Sequence, residues 1–223
     1  MKLNKLIKPL LVSCLVPLSL VAQADDAMNF ITLNVGADQA VVYNNKANID
    51  TAETGLLGGV EIGRKLNDMF ALGVEYQYHA KTKFNMKSNT DTYGTSLAWA
   101  VRSNVVLATM RMTLTNDAKV MPFIKLGLGA SRNKADDYKT TDVALGTSTY
   151  PGKTKTNFAW QLGAGLSVPM SDMFDAEMAY SFIDRGEIRT QGMLNNQISN
   201  NPSDAKVAKL RDHAITLGLK FKF

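Results

Sequence analysis

The final residues, Ile215-Thr-Leu-Gly-Leu-Lys-Phe-Lys-Phe223, constrain the fold more than any other stretch. Side chains of an extended strand alternate between two faces. Ile215, Leu217, Leu219, Phe221 and Phe223 therefore share one face, while Ala214, Thr216, Gly218, Lys220 and Lys222 share the other. A soluble protein could bury the apolar face in its core, but it rarely stops on an aromatic residue. The pattern suits a strand with hydrocarbon on one side and a polar interior on the other.

The opposite end agrees with this reading. Lys2, Lys5 and Lys8 precede a mostly apolar run from Pro9 to Val21, and Ala22-Gln-Ala24 is a small-residue cleavage site before Asp25. These features predict a cleaved secretory signal over residues 1–24 and a mature domain over 25–223. The apolar run is too short to span a bilayer, which takes about 20 residues. Leu11-Val-Ser-Cys14 resembles a lipoprotein cleavage box, but cleavage there would leave only a stub of apolar residues ahead of it. Three of the 25 basic residues leave with the signal, so the mature charge is close to balanced against 20 acidic residues. Nucleic-acid binding through net charge loses its support. The single cysteine leaves too, which excludes a disulfide framework and a thiolate metal site.

Period-two alternation recurs along the mature chain. Strands are expected near Met28–Ala37, Leu56–Arg64, Phe70–His79, Asn104–Leu114, Pro122–Ala130, Phe158–Ser167, Phe174–Phe182 and at the terminus. Short polar turns fall at Lys65–Met69, Thr115–Lys119 and Pro169–Met173, and two of them end Asp-Met-Phe. Long polar stretches fall near Asp38–Thr54, Ala80–Thr92, Ser131–Thr156 and Asp184–Lys209. One strand face is aliphatic and aromatic, and the other is glycine plus charge. A lipocalin-like soluble barrel would have an apolar inside instead. The expected fold is therefore all-β: an eight-stranded antiparallel up-and-down transmembrane barrel with short periplasmic turns and four long extracellular loops. One stretch breaks the phase. Between Tyr93 and Arg102, Leu97, Trp99 and Val101 have the parity opposite to Val106 and Met110. Either a bulge near Ser103 resets the register, or part of this stretch belongs to the second loop.

The chain resembles the small eight-stranded outer-membrane barrels of the opacity-protein and OmpA/OmpX-like surface-antigen type. The resemblance is carried by Ala71-Leu-Gly-Val-Glu-Tyr-Gln-Tyr78, Pro122-Phe-Ile-Lys-Leu-Gly-Leu-Gly-Ala130, Phe158-Ala-Trp-Gln-Leu-Gly-Ala-Gly165, Ala179-Tyr-Ser-Phe-Ile-Asp184 and the terminal Phe223. It implies a Gram-negative outer-membrane location, lipid and lipopolysaccharide as neighbours, and barrel assembly machinery that reads Phe221 and Phe223. It implies no particular activity, because such barrels include adhesins, serum-resistance factors and proteins without a known role. No peptidoglycan-binding domain is expected after the barrel.

Five inward charges form the best-defined cluster: Glu61, Glu75, Arg111, Lys125 and Glu177. Glu61 and Glu75 lie symmetrically about Asp68, and Arg111 and Lys125 about Ala118. Gln161 and Glu177 lie symmetrically about Pro169, so all six should share similar heights. A self-neutralising plug is expected, with a narrow gated pore as the alternative. His79 and His213 are the only histidines. No serine neighbours His213 in sequence, as a lipid-modifying serine enzyme would need, and His79 reads as an ordinary loop-edge residue. No enzyme activity is expected. Asp136, Asp137 and Asp142 are interspersed with lysines, which argues against a calcium loop, and the inward glycines lack the context of a phosphate loop. No metal or cofactor is expected.

The loops remain as the functional candidates. Lys81, Lys83, Lys87, Arg132, Lys134 and Lys139 are expected to meet a sulfated glycan or an acidic host or matrix protein, with Tyr138 and Tyr150 adding contact area. The expected function is adhesion or recognition at the cell surface. The alternatives are a structural barrel without a specific ligand and a narrow pore.

Overall fold

The computed structural model describes residues 28–44, 47–87, 96–114, 119–142, 146–194, 197–199 and 207–223. The expected signal, residue Tyr93 and residues 115–118 of the expected turn Thr115–Lys119 lie outside the described residues. The elements in chain order are β1 (Asn29–Asn44), β2 (Ala47–Lys65), β3 (Phe70–Lys87), β4 (Ser96–Thr113), β5 (Met121–Ala135), β6 (Tyr138–Asp142), β7 (Gly146–Tyr150), β8 (Thr154–Pro169), β9 (Phe174–Arg189), β10 (Gly192–Leu194), β11 (Gln197–Ser199) and β12 (Val207–Lys222). Eight long strands close a barrel in the order β3-β2-β1-β12-β9-β8-β5-β4, with β4 returning to β3. Hairpin β6–β7 continues the sheet from the far end of β4, and β10–β11 forms a separate hairpin.

Closure joins the two ends of the barrel sequence. β1 and β12 pair from Phe30↔Lys222 to Tyr43↔Lys209, and Asn29 exchanges backbone hydrogen bonds with Phe223. The two Asp-Met-Phe turns are built alike. The Asn67 side chain accepts from the Met69 and Phe70 amides, and the Ser171 hydroxyl accepts from those of Met173 and Phe174. Each short side chain stands in for a backbone carbonyl, which explains why tight turns favour these residues.

The strands run well past the alternating segments read in the sequence. β12 has 16 residues, which at about 3.4 Å per residue and a tilt of about 40° rises roughly 40 Å, against an apolar band of about 25 Å. About 15 Å of barrel must therefore stand clear of hydrocarbon. Much of what reads as long loops is strand: 39–44 and 47–54, 80–87, 131–135, 184–189 and 207–209 all lie in the barrel wall.

The two halves of the wall have inverted polarity. Near the turn end the outward residues are apolar and exposed, such as Leu33, Val35, Leu128, Phe158, Leu162, Ile215 and Leu217. Phe70, Phe174, Phe221 and Phe223 ring the turn end, while Tyr76, Tyr78, Phe158, Trp160, Tyr180 and Phe182 ring the wall at mid-height. Tyr76 donates a 2.6 Å hydrogen bond to Asn104, Tyr180 meets His213 at 2.6 Å, and Trp160 packs on Phe182. Two aromatic girdles flanking an apolar band mark the membrane interfaces. Beyond the second girdle the outward residues become Lys81, Lys83, Arg102, Arg132, Lys134, Lys209 and Arg211. There the inside turns apolar, with Ala40, Val101, Ala135, Ile188, Ala208 and Leu210 packed together.

This inversion resolves the phase break differently from either reading of the sequence. β4 keeps one register throughout, with Val101, Ser103, Val105 and Leu107 all buried inside. No bulge lies at Ser103. The irregularity is on β3 instead, where the pairs His79↔Ser103 and Thr82↔Val101 enclose one extra residue. Val101 has the opposite parity to Val106 because it packs an interior bounded by water rather than facing lipid.

Candidate functional site

Inside the wall the polar side chains form a stack whose height is set by strand register. Glu61 and Glu75 are direct cross-strand partners, as are Arg111 and Lys125. Alone, each pair would repel. Closure sets them against one another: Lys125 Nζ lies 3.0 Å from Glu75 and 3.5 Å from Glu61. Arg111 reaches Glu177 at 2.8 Å, and Lys220 joins Glu177 at 3.2 Å. Thr109 donates to Glu61 at 2.6 Å. The five charges expected to cluster are together and buried. Gln161 is not level with them. The hairpin turns about Asp172 rather than Pro169, so Ser167 faces Glu177 across the strands. Gln161 sits higher and accepts a 3.0 Å hydrogen bond from Gln77.

Two inward aromatic rings support the lower charges. The Arg111 guanidinium lies 3.5 Å above the Phe123 ring and Lys220 4.7 Å from that of Phe30. Flat rings fit only because glycines face them. A Cβ on Gly165 would stand 2.6 Å from Phe123 Cζ, and one on Gly63 would collide with Phe30. The inward glycines thus make room for side chains.

A second charged cluster lies above the first, and the sequence reading missed it. Asp38 on β1, His79 on β3, Arg185 on β9 and Asp212 on β12 are all at least 98% buried. The Arg185 guanidinium makes a two-pronged ion pair with Asp212 and lies 3.8 Å from Asp38. His79 Nδ1 is 2.7 Å from Asp38, and Nε2 is 3.2 Å from Gln77. His79 is therefore a lumen residue, not a loop-edge one. Arg185 sits where β9 carries an extra residue against β12, and Gly186 beside it takes φ 75°. Such a backbone favours glycine. The carbonyl of Arg185, turned inward, accepts from Ser131 and Asn133. Asp38, His79 and Asp212 stand close enough for metal ligation, but the guanidinium already supplies the cation to both carboxylates. Directly above lies the apolar cluster of Val101, Ile188 and Leu210.

The expected loop-binding residues lie on strands. Lys81 and Lys83 project from β3, Arg132 and Lys134 from β5, and Lys139 from β6, all exposed. Lys87 pairs with Ser96 by backbone register. Arg102, absent from the sequence reading, projects from β4 directly opposite Lys134, and Asn104 faces Arg132. Lys81 pairs with Asp136, which also lies 3.8 Å from Arg102. Five cations on three adjacent strands thus share the outer wall just beyond the mid-height aromatic girdle, and two of them, Lys81 and Arg102, lie against Asp136. Tyr138 and Tyr150 pair across hairpin β6–β7. His213 is held on the outer face between Tyr180 and Phe182.

Residues 10–223 match the family model described as outer membrane protein beta-barrel domain. A provisionally named adhesin of Rickettsia bellii (strain OSU 85-389) is 28% identical over 181 residues, covering 79% of this chain and 77% of the relative. A second protein so named, from R. bellii strain RML369-C, is 27% identical over 186 residues with the same shares. Among solved structures, the outer-membrane protein OprG of Pseudomonas aeruginosa aligns with a TM-score of 0.52 at 14% identity, over 87% of this chain and 95% of that one. It shows a shared fold.

Proposed function

The chain belongs to the outer-membrane protein β-barrel family, and from that premise we propose that it is a surface barrel that recognises polyanionic partners through its projecting basic face. The observation that carries this reading is the group Lys81, Lys83, Arg102, Arg132 and Lys134 on three adjacent strands, of which Lys81 and Arg102 meet Asp136. Strand hydrogen bonding holds the backbone of these residues on a rigid wall, so binding orders only their side chains and no loop. A net positive field at that height speeds encounter with acidic partners and weakens with salt. Sulfated glycans of a host surface or matrix fit this chemistry, and the adhesin names of the R. bellii relatives agree with it.

The test changes Lys81, Lys83, Arg102, Arg132 and Lys134 to Ser in a barrel that keeps its folded, heat-modifiable migration. Heparin binding by cells or purified protein should fall at least tenfold, and wild-type binding should be lost with rising salt. Undiminished binding overturns the proposal. A wild type that binds no polyanion leaves the barrel as a structural component of the membrane.

A further inference from the structure

Three cations of the basic face stand in one row across three strands. The bulge on β3 sets Ala80 and Lys81 opposite Arg102, and Arg102 faces Lys134 across β4 and β5. Like charges directly across strands repel. Asp136, the first residue after β5, is fastened one row higher: its amide donates a 2.8 Å hydrogen bond to the Ala100 carbonyl on β4. From there its carboxylate pairs with Lys81 and lies 3.8 Å from Arg102. Two cations from neighbouring strands therefore converge on one oxyanion that the chain itself supplies. All three side chains are partly exposed, and ion pairs in water are weak enough to exchange. Asp137 is held differently, with Oδ1 accepting a 3.0 Å hydrogen bond from the Gly152 amide.

We propose that Lys81 and Arg102 form the central anion subsite of this face, and that Asp136 fills it as an internal competitor until a sulfate or carboxylate of an incoming polyanion displaces it. This inference rests on the polyanion reading above. The contact with Asp136 is the geometric warrant, because it shows that both cations reach the same oxyanion. A small free anion competes poorly there, since the tethered carboxylate is present at high effective concentration. A polyanion first engages Lys83, Arg132 and Lys134 with its other groups, and its own nearby charge then meets Asp136 on equal terms. Asp136 thereby tunes the face toward anions carried on a chain.

The test is heparin binding by the full mature barrel refolded in micelles, measured by calorimetry at constant ionic strength. Asp136→Asn should tighten binding about fivefold, the order expected from freeing exposed ion pairs. Asp137→Asn removes the same charge one residue away and should change the Kd less than about twofold, because a charge outside the subsite acts only through a screened field. The gain from Asp136→Asn should vanish when Lys81→Gln and Arg102→Gln are already present, since the subsite it frees is then gone. If Asp136→Asn loses its folded migration, Asp136→Ser takes its place with the same expected outcomes. A gain no larger than that of Asp137→Asn, or one that survives without Lys81 and Arg102, overturns the proposal and leaves the polyanion reading standing. Absence of heparin binding in both the wild type and the Asp136 variant overturns the two together.

Discussion

Replacing Arg185 by Met keeps most of the side-chain volume and removes the charge at the centre of the upper cluster. Asp212 would then be a fully buried carboxylate without its two-pronged partner. Asp38 would keep His79, and the Arg185 carbonyl would keep Ser131 and Asn133, since those contacts use the backbone. The damage should therefore fall mainly on one charge. At an effective dielectric near 20, two unit charges about 4 Å apart are worth about 4 kcal/mol, and breaking a buried pair costs about 3–5 kcal/mol. The partly exposed pair Arg211–Asp184 at 2.9 Å gives the contrast. Arg211→Met should cost roughly 0.2–1 kcal/mol. Reversible urea unfolding in lipid vesicles, read by intrinsic fluorescence, measures both. Adding Asp212→Asn to Arg185→Met removes the stranded charge and should recover about 2 kcal/mol. If Arg185→Met costs no more than Arg211→Met, or Asp212→Asn recovers nothing, the cluster does not act through buried charge.

Deleting Phe223 or changing it to Asp removes part of the aromatic ring shared with Phe221 and Phe174, and should slow assembly and leave protease-sensitive protein in the periplasm; normal membrane levels would count against this. Side chains fill the lumen and an apolar cluster caps it, so planar bilayers with purified protein should show no stable, porin-sized conductance; such a conductance would contradict the sealed lumen. Above the membrane, the hydrogen bond from Lys155 holds the Glu187 carboxyl below its ordinary value of 4.5. A depressed carboxylate stabilises the fold above that value and stops doing so as pH falls through its folded-state pKa. Protection factors of the amides at the β8–β9 pairing near these residues, with the intrinsic pH dependence of exchange divided out, should therefore fall in acid, and less so in Glu187→Gln.

The legible part of the sequence was the lipid-facing half. There the outside is apolar and the inside polar, so Phe70–Tyr78 or Ile215–Phe223 announce themselves by alternation alone. Past the girdle alternation persists, as in Val101 against Arg102 or Leu210 against Arg211, but its sign is reversed. Reading every apolar residue as outward made those segments look like loops. The lower cluster was readable because hairpin partners mirror each other about short turns, as Glu61 and Glu75 do. Gln161 was misplaced because the turn centre was taken three residues early. The upper cluster left no local signal. Asp38, His79, Arg185 and Asp212 come from four strands, and the closure of β1 onto β12, with β9 beside β12 and β3 one strand beyond β1, brings them together. Arg102 was missed for the same reason: its neighbours Lys81 and Lys134 are adjacent only across strands.

The depth at which the wall leaves the membrane underlies the whole account, and one strand can measure it. On β5 the outward residues are Ile124, Leu126, Leu128, Ala130, Arg132 and Lys134. Nitroxide labels placed singly at these positions in vesicles report contact with oxygen, which concentrates in hydrocarbon, against a water-soluble nickel complex. Labels from 124 to 128 should favour oxygen, the balance should cross near 130, and labels at 132 and 134 should be reached by nickel. A lipid-like signal that continues through 134, or a watery one at 126, would contradict a barrel that changes polarity at its upper aromatic girdle.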